Sequence, residues 1–540
     1  MTGEWIDPAS GQPHEGTPLG MALTAQAMAT PERPAMTIGA QSWTFAAFEG
    51  LANRRARDLL AAGMAPGDRV ILSMPNRVDY LLCAFALWKI GAIPCPVSER
   101  LTEPEFRAIV DLSGARHVIG PRTLPASAAR LHDVDAPIDP ALSGAPLPPA
   151  IARPGKIANS GGSTGRPKLI VDPLPSVWGP DKEGCRRGPR HTLLNPGPLY
   201  HSAPFNTTSM ALAQGTHIIC MERFDPQQWL ALVARHRVTY AYMVPTMMTR
   251  IARLPRSVTD AADLSSIETL LHMAAPCPPD VKRWWIDRIG ADHVWEVYGG
   301  TERIGVTIIG GREWLAHPGS VGRPPAGQEI MITGEDGAPL PAGAIGDIRF
   351  RKAGGPGTSY AYIGSEDRIA GDTDSFGDMG WLDADGYLYI ADRRTDMILV
   401  GGVNIYPAEI EAAVETMPGV LCCAVIGLPD TELGNRVHAI VELALDAAVP
   451  EAADFLTALP DQLIGLKRPR SVEFSQAPIR DQAGKVRRSA LRAARCAHED
   501  SPLAPTPPKS NRRAEELTKV EPARIAPIDK REDNHDRDRL

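Results

Sequence analysis

No run in this 540-residue sequence approaches the roughly 20 continuous apolar residues that a membrane-spanning helix needs. The opening segment, "MTGEWIDPASGQPHEG", is polar and acidic and has no apolar core of the kind that directs secretion. A strong excess of charge is also missing. The net charge of −7 gives no electrostatic case for nucleic acid or an anionic membrane surface as partner. The eight cysteines form no CxxC pair and no His/Cys cluster with zinc spacing, and only Cys422 and Cys423 are adjacent. Together these absences predict a cytoplasmic protein with buried, reduced thiols. No internal repeat of fixed period is present.

What is present is a chain too long for one ordinary core, with 43% hydrophobic and 22% charged residues, as in globular proteins. From Asp68 to Val97 it reads "DRVILSMPNRVDYLLCAFALWKIGAIPCPV". An apolar run, a stretch of helical periodicity and a second apolar run predict strand, helix and strand. Further strand-like runs follow in "HVIG", "THIICM", "VTYAYMV", "TLLHMAA" and "HVWEVYGG". Strands alternating with helices of ten or more residues predict a layered α/β architecture.

Beyond about Ile330 the texture changes to short strands joined by Gly/Asp turns, as in "GDIRFRKAGG" and "GYLYIADRRTDMILVGG". "YPAEIEAAVETMPGV" is patterned as an amphipathic helix, with Pro407 in its first turn and Gly419 after its end. The expected organisation is an N-terminal extension over 1–19, a large α/β domain over 20–394 and a small α+β domain over 395–496. A tail over 497–540, rich in Pro and in charges of both signs and free of aromatics, is expected to be disordered.

The densest chemistry lies at residues 159–168, "NSGGSTGRPK". Backbone N–H groups at Gly161, Gly162 and Gly165, hydroxyls at Ser160, Ser163 and Thr164, and the Lys168 cation suit a phosphate chain. A flexible surface connection would have a similar composition. A Walker loop is excluded, because Lys168 follows Pro167 and precedes Leu169. A dinucleotide fingerprint is disfavoured, because Pro167 and "LIVDPLP" do not open a helix.

The longer string "IANSGGSTGRPK" resembles the phosphate-binding signature of the adenylate-forming superfamily: acyl-CoA synthetases, luciferases and peptide-synthetase adenylation domains. The later motifs stand in that family's order: "YGGTE" from Tyr298, "GSVGRP" from Gly319, "GDMGWLDADGYLYIADRRTDMI" from Gly377, "GGVNIYPAEIE" from Gly401, and "RDQAGKVRRSALR" around Lys485. The likeness spans about residues 20–495. It implies a large α/β N-terminal domain with a small mobile C-terminal domain. It also implies a reaction in two halves: a carboxylate attacks the α-phosphorus of Mg-ATP to give acyl-AMP and pyrophosphate, and a thiol then attacks the acyl carbon and releases AMP.

The resemblance also assigns residues. Ser160 through Gly165 and Lys168 would hold the triphosphate, with Thr164 acting in catalysis. Tyr298 would stack on adenine, with Gly299 beside it and Ala274, Ala275 and Pro276 of "MAAPCPP" along the base. Thr301 would touch the α-phosphate and Glu302 would hold Mg2+; one carboxylate suffices for a hard ion bridging phosphates. Asp378 and Arg393, fifteen residues apart, would hold the ribose. Lys485 would reach both the incoming carboxylate and the α-phosphate. His201 in "PLYHSAPF" would gate the acyl pocket, and is a poor candidate for a base, because a carboxylate needs no deprotonation near neutral pH. Gly401 and Gly402 would line the path of the thiol. Thr395 stands at the pivot between domains, where many relatives carry Asp or Lys.

The segments expected to line the acyl pocket, "HSAPFNTTSMALAQG", "MVPTMM", "HMAAPCPP" and "YGGTERIGV", offer no early aspartate to hold an amino group. They are apolar and small-sided, which suits a bulky hydrophobic acid. No carrier domain follows in the sequence, so free CoA is the expected thiol. The expected protein is therefore an ATP-dependent acid–CoA ligase, monomeric or homodimeric, similar to bacterial fatty-acid and bile-acid or steroid-side-chain CoA ligases. An amino-acid or aryl-acid adenylating enzyme that loads a separate carrier protein is the alternative.

Overall fold

A computed structural model describes residues 5–6, 13–14, 16–123, 129–160, 168–179, 188–366, 369–444, 447–481 and 484–499. Those up to Cys496 belong to one compact unit. The glycine-rich stretch 161–167 lies outside the described residues, as do Cys185 and residues 500–540 of the expected tail.

The central element is an eight-stranded sheet. Its six inner strands are parallel, in the spatial order Val294–Gly299, Thr269–Met273, Tyr240–Met243, Thr192–Asn195, His217–Cys220 and Pro34–Ile38. Antiparallel strands Val306–Gly310 and Gln41–Thr44 close the two edges. A second, parallel sheet takes Ile93–Pro96, Arg69–Leu72, His117–Gly120 and Arg130–Asp133. Strands covered on both faces read as continuous apolar runs, which is why "VIL" and "HVIG" carry no alternation.

The helix between Arg69–Leu72 and Ile93–Pro96 is Val78–Lys89, buried on all sides from Tyr80 to Lys89. Its terminal Lys89 is buried with it, paired with Glu49 at 2.8 Å and donating to the Gly20 carbonyl. Local signals set the ends of other helices. Thr102 and Glu105 form a capping box at the start of Glu103–Ser113, and Gly114 ends that helix in the left-handed region at φ 63°.

Two smaller sheets sit beside these. Lys156–Ser160 and Lys168–Asp172 are antiparallel, with Ala361–Ile363 as third strand, so the glycine-rich stretch joins two paired strands. Gln328–Thr333, Gly346–Lys352, Asp378–Leu382 and Leu388–Arg393 form an antiparallel four-stranded sheet.

After an exposed turn at Thr395 comes a separate apolar core, built from Ile398, Val400, Ile410, Val425, Val441 and neighbouring residues. Ile398–Val400 and Val403–Ile405 make a hairpin closed by Gly401 and Gly402 at φ 54° and 81°. Two consecutive positive φ values are what a two-residue hairpin of this hand requires. The helix predicted over "YPAEIEAAVETMPGV" does start at Pro407 but stops at Val414, short of Gly419, which sits in the turn before strand Val420–Asp430. The last helix runs from Arg488 to Glu499, past Cys496, where the tail was expected to begin. Of the described cysteines, Cys277 and Cys496 are half-buried and the others are buried, and none forms a disulfide. No helix among the described residues is long and apolar enough to cross a membrane.

Candidate active site

Four neighbouring parallel strands of the large sheet end on the same side, and the segments leaving their carboxyl ends carry the expected site. Open α/β sheets place ligands at this edge. Thr192–Asn195 leads to His201, Tyr240–Met243 to Thr246, Thr269–Met273 to Ala274, and Val294–Gly299 to Thr301 and Glu302. Buried Asn76 ties the first of these segments down: its amide donates to the Gly197 and Met221 carbonyls and its carbonyl accepts from Leu199 N–H.

The Glu302 carboxylate accepts from the Tyr362 hydroxyl at 2.7 Å, and Lys168 Nζ lies 3.5 Å from the same oxygen. The Lys168 ammonium also sits over the Tyr362 ring, 4.1 Å from its centroid. Tyr298 packs edge-on against Phe376, and its hydroxyl donates to Asp378 Oδ2 at 2.7 Å. Arg393 Nε lies 3.4 Å from the other Asp378 oxygen. Burial, then the Asp378 charge, pushes the Tyr298 phenol well above its ordinary range, so it stays a proton donor.

Lys485 stands in a loop closed by Asp481. The Lys485 N–H donates to Asp481 Oδ1, and the Asp481 N–H donates to the Lys485 carbonyl, both at 2.9 Å. Arg480 anchors the base of that loop on Cys422 Sγ at 3.0 Å and Glu415 at 3.2 Å. Gly484 takes φ 76°, and a Cβ there would meet Thr246 Oγ1 at 2.8 Å, so the loop lies directly against the helix Pro245–Ala252. The protein around the Lys485 ammonium, and then the positive charge of Arg393, push it below the usual lysine range; Asp481 and Glu302 oppose that shift. His201 feels the charges of Asp481 and Lys485, and burial pushes its imidazole down to about 4. Its ring lies 4.5 Å from that of Tyr200, just before the helix Ser202–Ala213.

The structure thus brings Lys168, His201, Tyr298, Glu302, Asp378, Arg393 and Lys485 into one electrostatic neighbourhood, with Gly299 and Thr301 on the segment that carries Tyr298 and Glu302. Ala274, Ala275 and Pro276 leave the adjacent strand, and Ala274 holds a left-handed φ of 79°. Such a backbone costs a β-carbon residue of order 1 kcal/mol and recurs where geometry is held for function. Gly401 and Gly402 stand apart from this cluster: the neighbours of their exposed turn are Leu433 and Leu466 of the same core. The side chain of Ser160, and Gly161, Gly162, Ser163, Thr164 and Gly165, lie outside the described residues.

Three contributors escaped the sequence reading. Tyr362 lies on a strand with no motif around it, Asp481 counts only through its loop hydrogen bonds, and Thr246 only through the close approach of Gly484. Arg480 and Arg488 are paired with Glu415 and with Glu411 and Asp396 rather than free in water.

Comparison with known proteins accords with this geometry. Residues 23–362 match the AMP-binding enzyme family, and residues 409–485 match the AMP-binding enzyme C-terminal domain. The chain is 34% identical over 496 residues to a feruloyl-CoA synthase of Amycolatopsis sp, covering 88% of this chain and 98% of that protein. It is 32% identical over 479 residues to a long-chain-fatty-acid–CoA ligase of Mycobacterium tuberculosis, covering 83% and 92%. Among solved structures it resembles ATP-bound MatB from Rhodopseudomonas palustris, with a TM-score of 0.73 at 25% identity, covering 89% of this chain and 99% of that one. The fold is also shared with o-succinylbenzoate CoA synthetase of Bacillus subtilis in complex with its acyl-adenylate intermediate, with a TM-score of 0.73 at 23% identity, covering 87% and 97%.

The chain belongs to the AMP-binding, adenylate-forming enzyme family, in its acyl-CoA ligase branch. It is an AMP-forming acid–thiol ligase that works through an acyl-adenylate.

Proposed function

We propose that this ligase activates a bulky hydrophobic carboxylic acid with Mg-ATP at the centre between Glu302 and Lys485, then passes the acyl group to CoA. The observation that carries this reading is that the Lys485 loop packs against Thr246 at the carboxyl edge of the sheet, where the ammonium feels the charges of Arg393, Asp481, Glu302 and Lys168. Adenylation joins two anions that repel each other, so a cation shared by the attacking carboxylate and the α-phosphate lowers the barrier most. Tyr298 and the Ala274–Pro276 segment flank the base, Asp378 and Arg393 take the ribose, and Ser160 to Gly165 with Lys168 take the phosphates. Thr301 and Thr164 add hydroxyl donors.

Glu302 suits a hard divalent ion. Among the described residues a hydroxyl and a loosely placed ammonium lie against its carboxylate, and one protein oxygen is enough where phosphates supply the rest. When bound, the ion spreads the charge that develops on the phosphate oxygens. His201, neutral near pH 7 with its imidazole held at about 4, adds no charge to the acyl entrance and serves there as a gate.

The acyl pocket is assigned to Ser202–Ala213, Met243–Met248 and the segment after Met273. These segments carry Phe205, Met243, Met247 and Met248, which pack in the hydrophobic cores beneath them, and unbranched methionines adapt to bulky apolar shapes. Relatives that act on feruloyl and long-chain fatty acyl groups are compatible with such a pocket. The residues beyond Thr395 act as the mobile small domain, with Gly401 and Gly402 placed to clear the path of the thiol in a second pose.

The test is acyl-CoA formation with ATP, Mg2+ and CoA across short, long-chain, aryl and steroid-side-chain acids, with a carrier protein offered in parallel. The highest kcat/KM is expected for a bulky apolar acid with CoA. Preference for acetate, for an amino acid or for the carrier would overturn the reading.

A further inference from the structure

The strand Lys168–Asp172 meets the turn that carries Glu302 at two points of opposite sign. At its first residue a lysine faces Glu302, with 3.5 Å between Lys168 Nζ and Oε1. At its last residue an aspartate faces Arg303, with Nη1 3.3 and 3.2 Å from Oδ1 and Oδ2 of Asp172. Lys168, Ile170 and Asp172 share one side of the strand by the alternation of side chains. One segment therefore grips two consecutive turn residues, a cation on the acid and an acid on the cation.

The second grip is the firmer of the two. Asp172 also accepts from the buried Lys156 Nζ at 3.2 Å, across the strand pair, and from Leu174 N–H at 3.1 Å. Burial of Asp172 would raise its pKa, but the Lys156 and Arg303 charges hold its carboxyl below the ordinary range. The turn itself closes through Arg303 N–H to the Gly300 carbonyl at 3.0 Å, and Arg303 sits at φ 55°, in the left-handed region. A β-carbon residue held there needs an outside partner to stay, and Asp172 supplies it.

We infer that Asp172 and Arg303 are positioning residues for the Glu302 carboxylate: their ion pair keeps the turn in register once nucleotide draws Lys168 away from Glu302. This rests on the reading of Glu302 as the acid that meets the metal. In the free protein two ion pairs hold the turn, together with the Tyr362 hydroxyl on Glu302 and Lys352 Nζ, which donates to the Arg303 carbonyl at 3.3 Å. With Mg-ATP bound, Lys168 and Glu302 have other partners, and Asp172–Arg303 is the ion pair that still holds the turn. Partners that orient a metal-binding acid are worth about 10- to 100-fold in metal affinity.

The test uses the full-length protein and calorimetric binding of ATP with Mg2+ and of ATP in EDTA, alongside acyl-AMP formation. Arg303 is 43% exposed, so Arg303→Ala is expected to fold with an unchanged melting temperature. It should raise the Kd for Mg-ATP about tenfold, while the Kd for metal-free ATP moves less than about twofold. Arg303→Lys, which keeps the ion pair, should restore most of the loss. Asp172→Asn should act in the same direction as Arg303→Ala and also lower the melting temperature, because it strands Lys156 in the interior. Glu302→Gln sets the size of the full effect. Equal weakening of both forms of ATP would mean that Arg303 binds phosphate itself, and would overturn the inference. An unchanged Mg-ATP affinity in Arg303→Ala would overturn it as well. A wild-type protein with no acid-dependent acyl-AMP formation would instead overturn the reading of the site.

Discussion

The Tyr298 hydroxyl donates to Asp378 Oδ2 at 2.7 Å, tying the aromatic assigned to the base to the carboxylate assigned to the ribose, 80 residues away in the chain. The residues proposed for the two halves of the nucleoside are thus one hydrogen-bonded unit, with Arg393 on the far oxygen of Asp378. A hydrogen bond to a charged acceptor is worth about 1.5–3 kcal/mol. Tyr298→Phe keeps the ring and loses only that bond, so the KM for ATP should rise about tenfold with kcat nearly unchanged. Steady-state kinetics with ATP varied will check this. A normal KM would mean that the bond does not orient Asp378 for the ribose.

Acid should destabilise the fold through its histidines. Burial pushes the imidazoles of His132, His201 and His217 down to about 4 from an ordinary value near 6.5. Between those values the unfolded chain holds more protons than the folded one, so stability falls as pH drops through that window. Asp392 works the other way. Burial lifts its carboxyl to about 6, so between about 4 and 6 the folded state holds the extra proton. Burial also lowers His236, His272 and His438 and raises Glu296 and Glu415, so the lowered histidines outnumber the raised acids, and the melting temperature should fall from about pH 7 to about pH 4.5. His217→Gln should flatten part of that fall. A midpoint that stays level across the range would contradict the assignment of neutral buried imidazoles.

Arg253 links the large sheet's helices to the core beyond Thr395. Its guanidinium donates to the Val420 carbonyl and, at 3.1 Å, to the Glu415 carbonyl. It follows the helix Pro245–Ala252, whose Thr246 meets Gly484 beside Lys485. Arg253→Ala should therefore slow acyl-AMP formation several-fold, while conversion of supplied acyl-AMP with CoA stays near wild type. Separate assays of the two half-reactions decide this. Equal slowing of both would mean that Arg253 does not favour the pose in which Lys485 faces Glu302.

Much of this was legible in the sequence where the signal is local. The unit Arg69–Leu72, Val78–Lys89 and Ile93–Pro96 announces itself because an apolar run, a helical period and a second apolar run follow one another. Glu302, Asp378 and Lys485 are legible because each stands in a motif of glycines and polar residues in a fixed order. What holds them is not. The Asp172–Arg303 pair joins residues 131 apart, each unremarkable among its neighbours, and only the folded chain brings them together. The left-handed backbone at Ala274 is hidden for another reason: alanine gives no sign of positive φ, as glycine would. The early stop of the helix at Val414 shows the same limit, since its apolar pattern continues past the point where the strand Val420–Asp430 takes over the packing.

Rapid-quench kinetics of Lys485→Ala with separately synthesised acyl-AMP tests the proposed role of Lys485 most directly. Lys485 feels the charges of Glu302 and Lys168, while the neighbours of Gly401 are Leu433 and Leu466, so on the proposed roles this arrangement suits adenylation. The variant should lose acyl-AMP formation by at least about a hundredfold and still convert supplied acyl-AMP and CoA to product at close to the wild-type rate. Gly402→Leu should show the reverse pattern. Equal loss of both halves in Lys485→Ala would contradict the assignment of this lysine to adenylation and, with it, the two-pose mechanism.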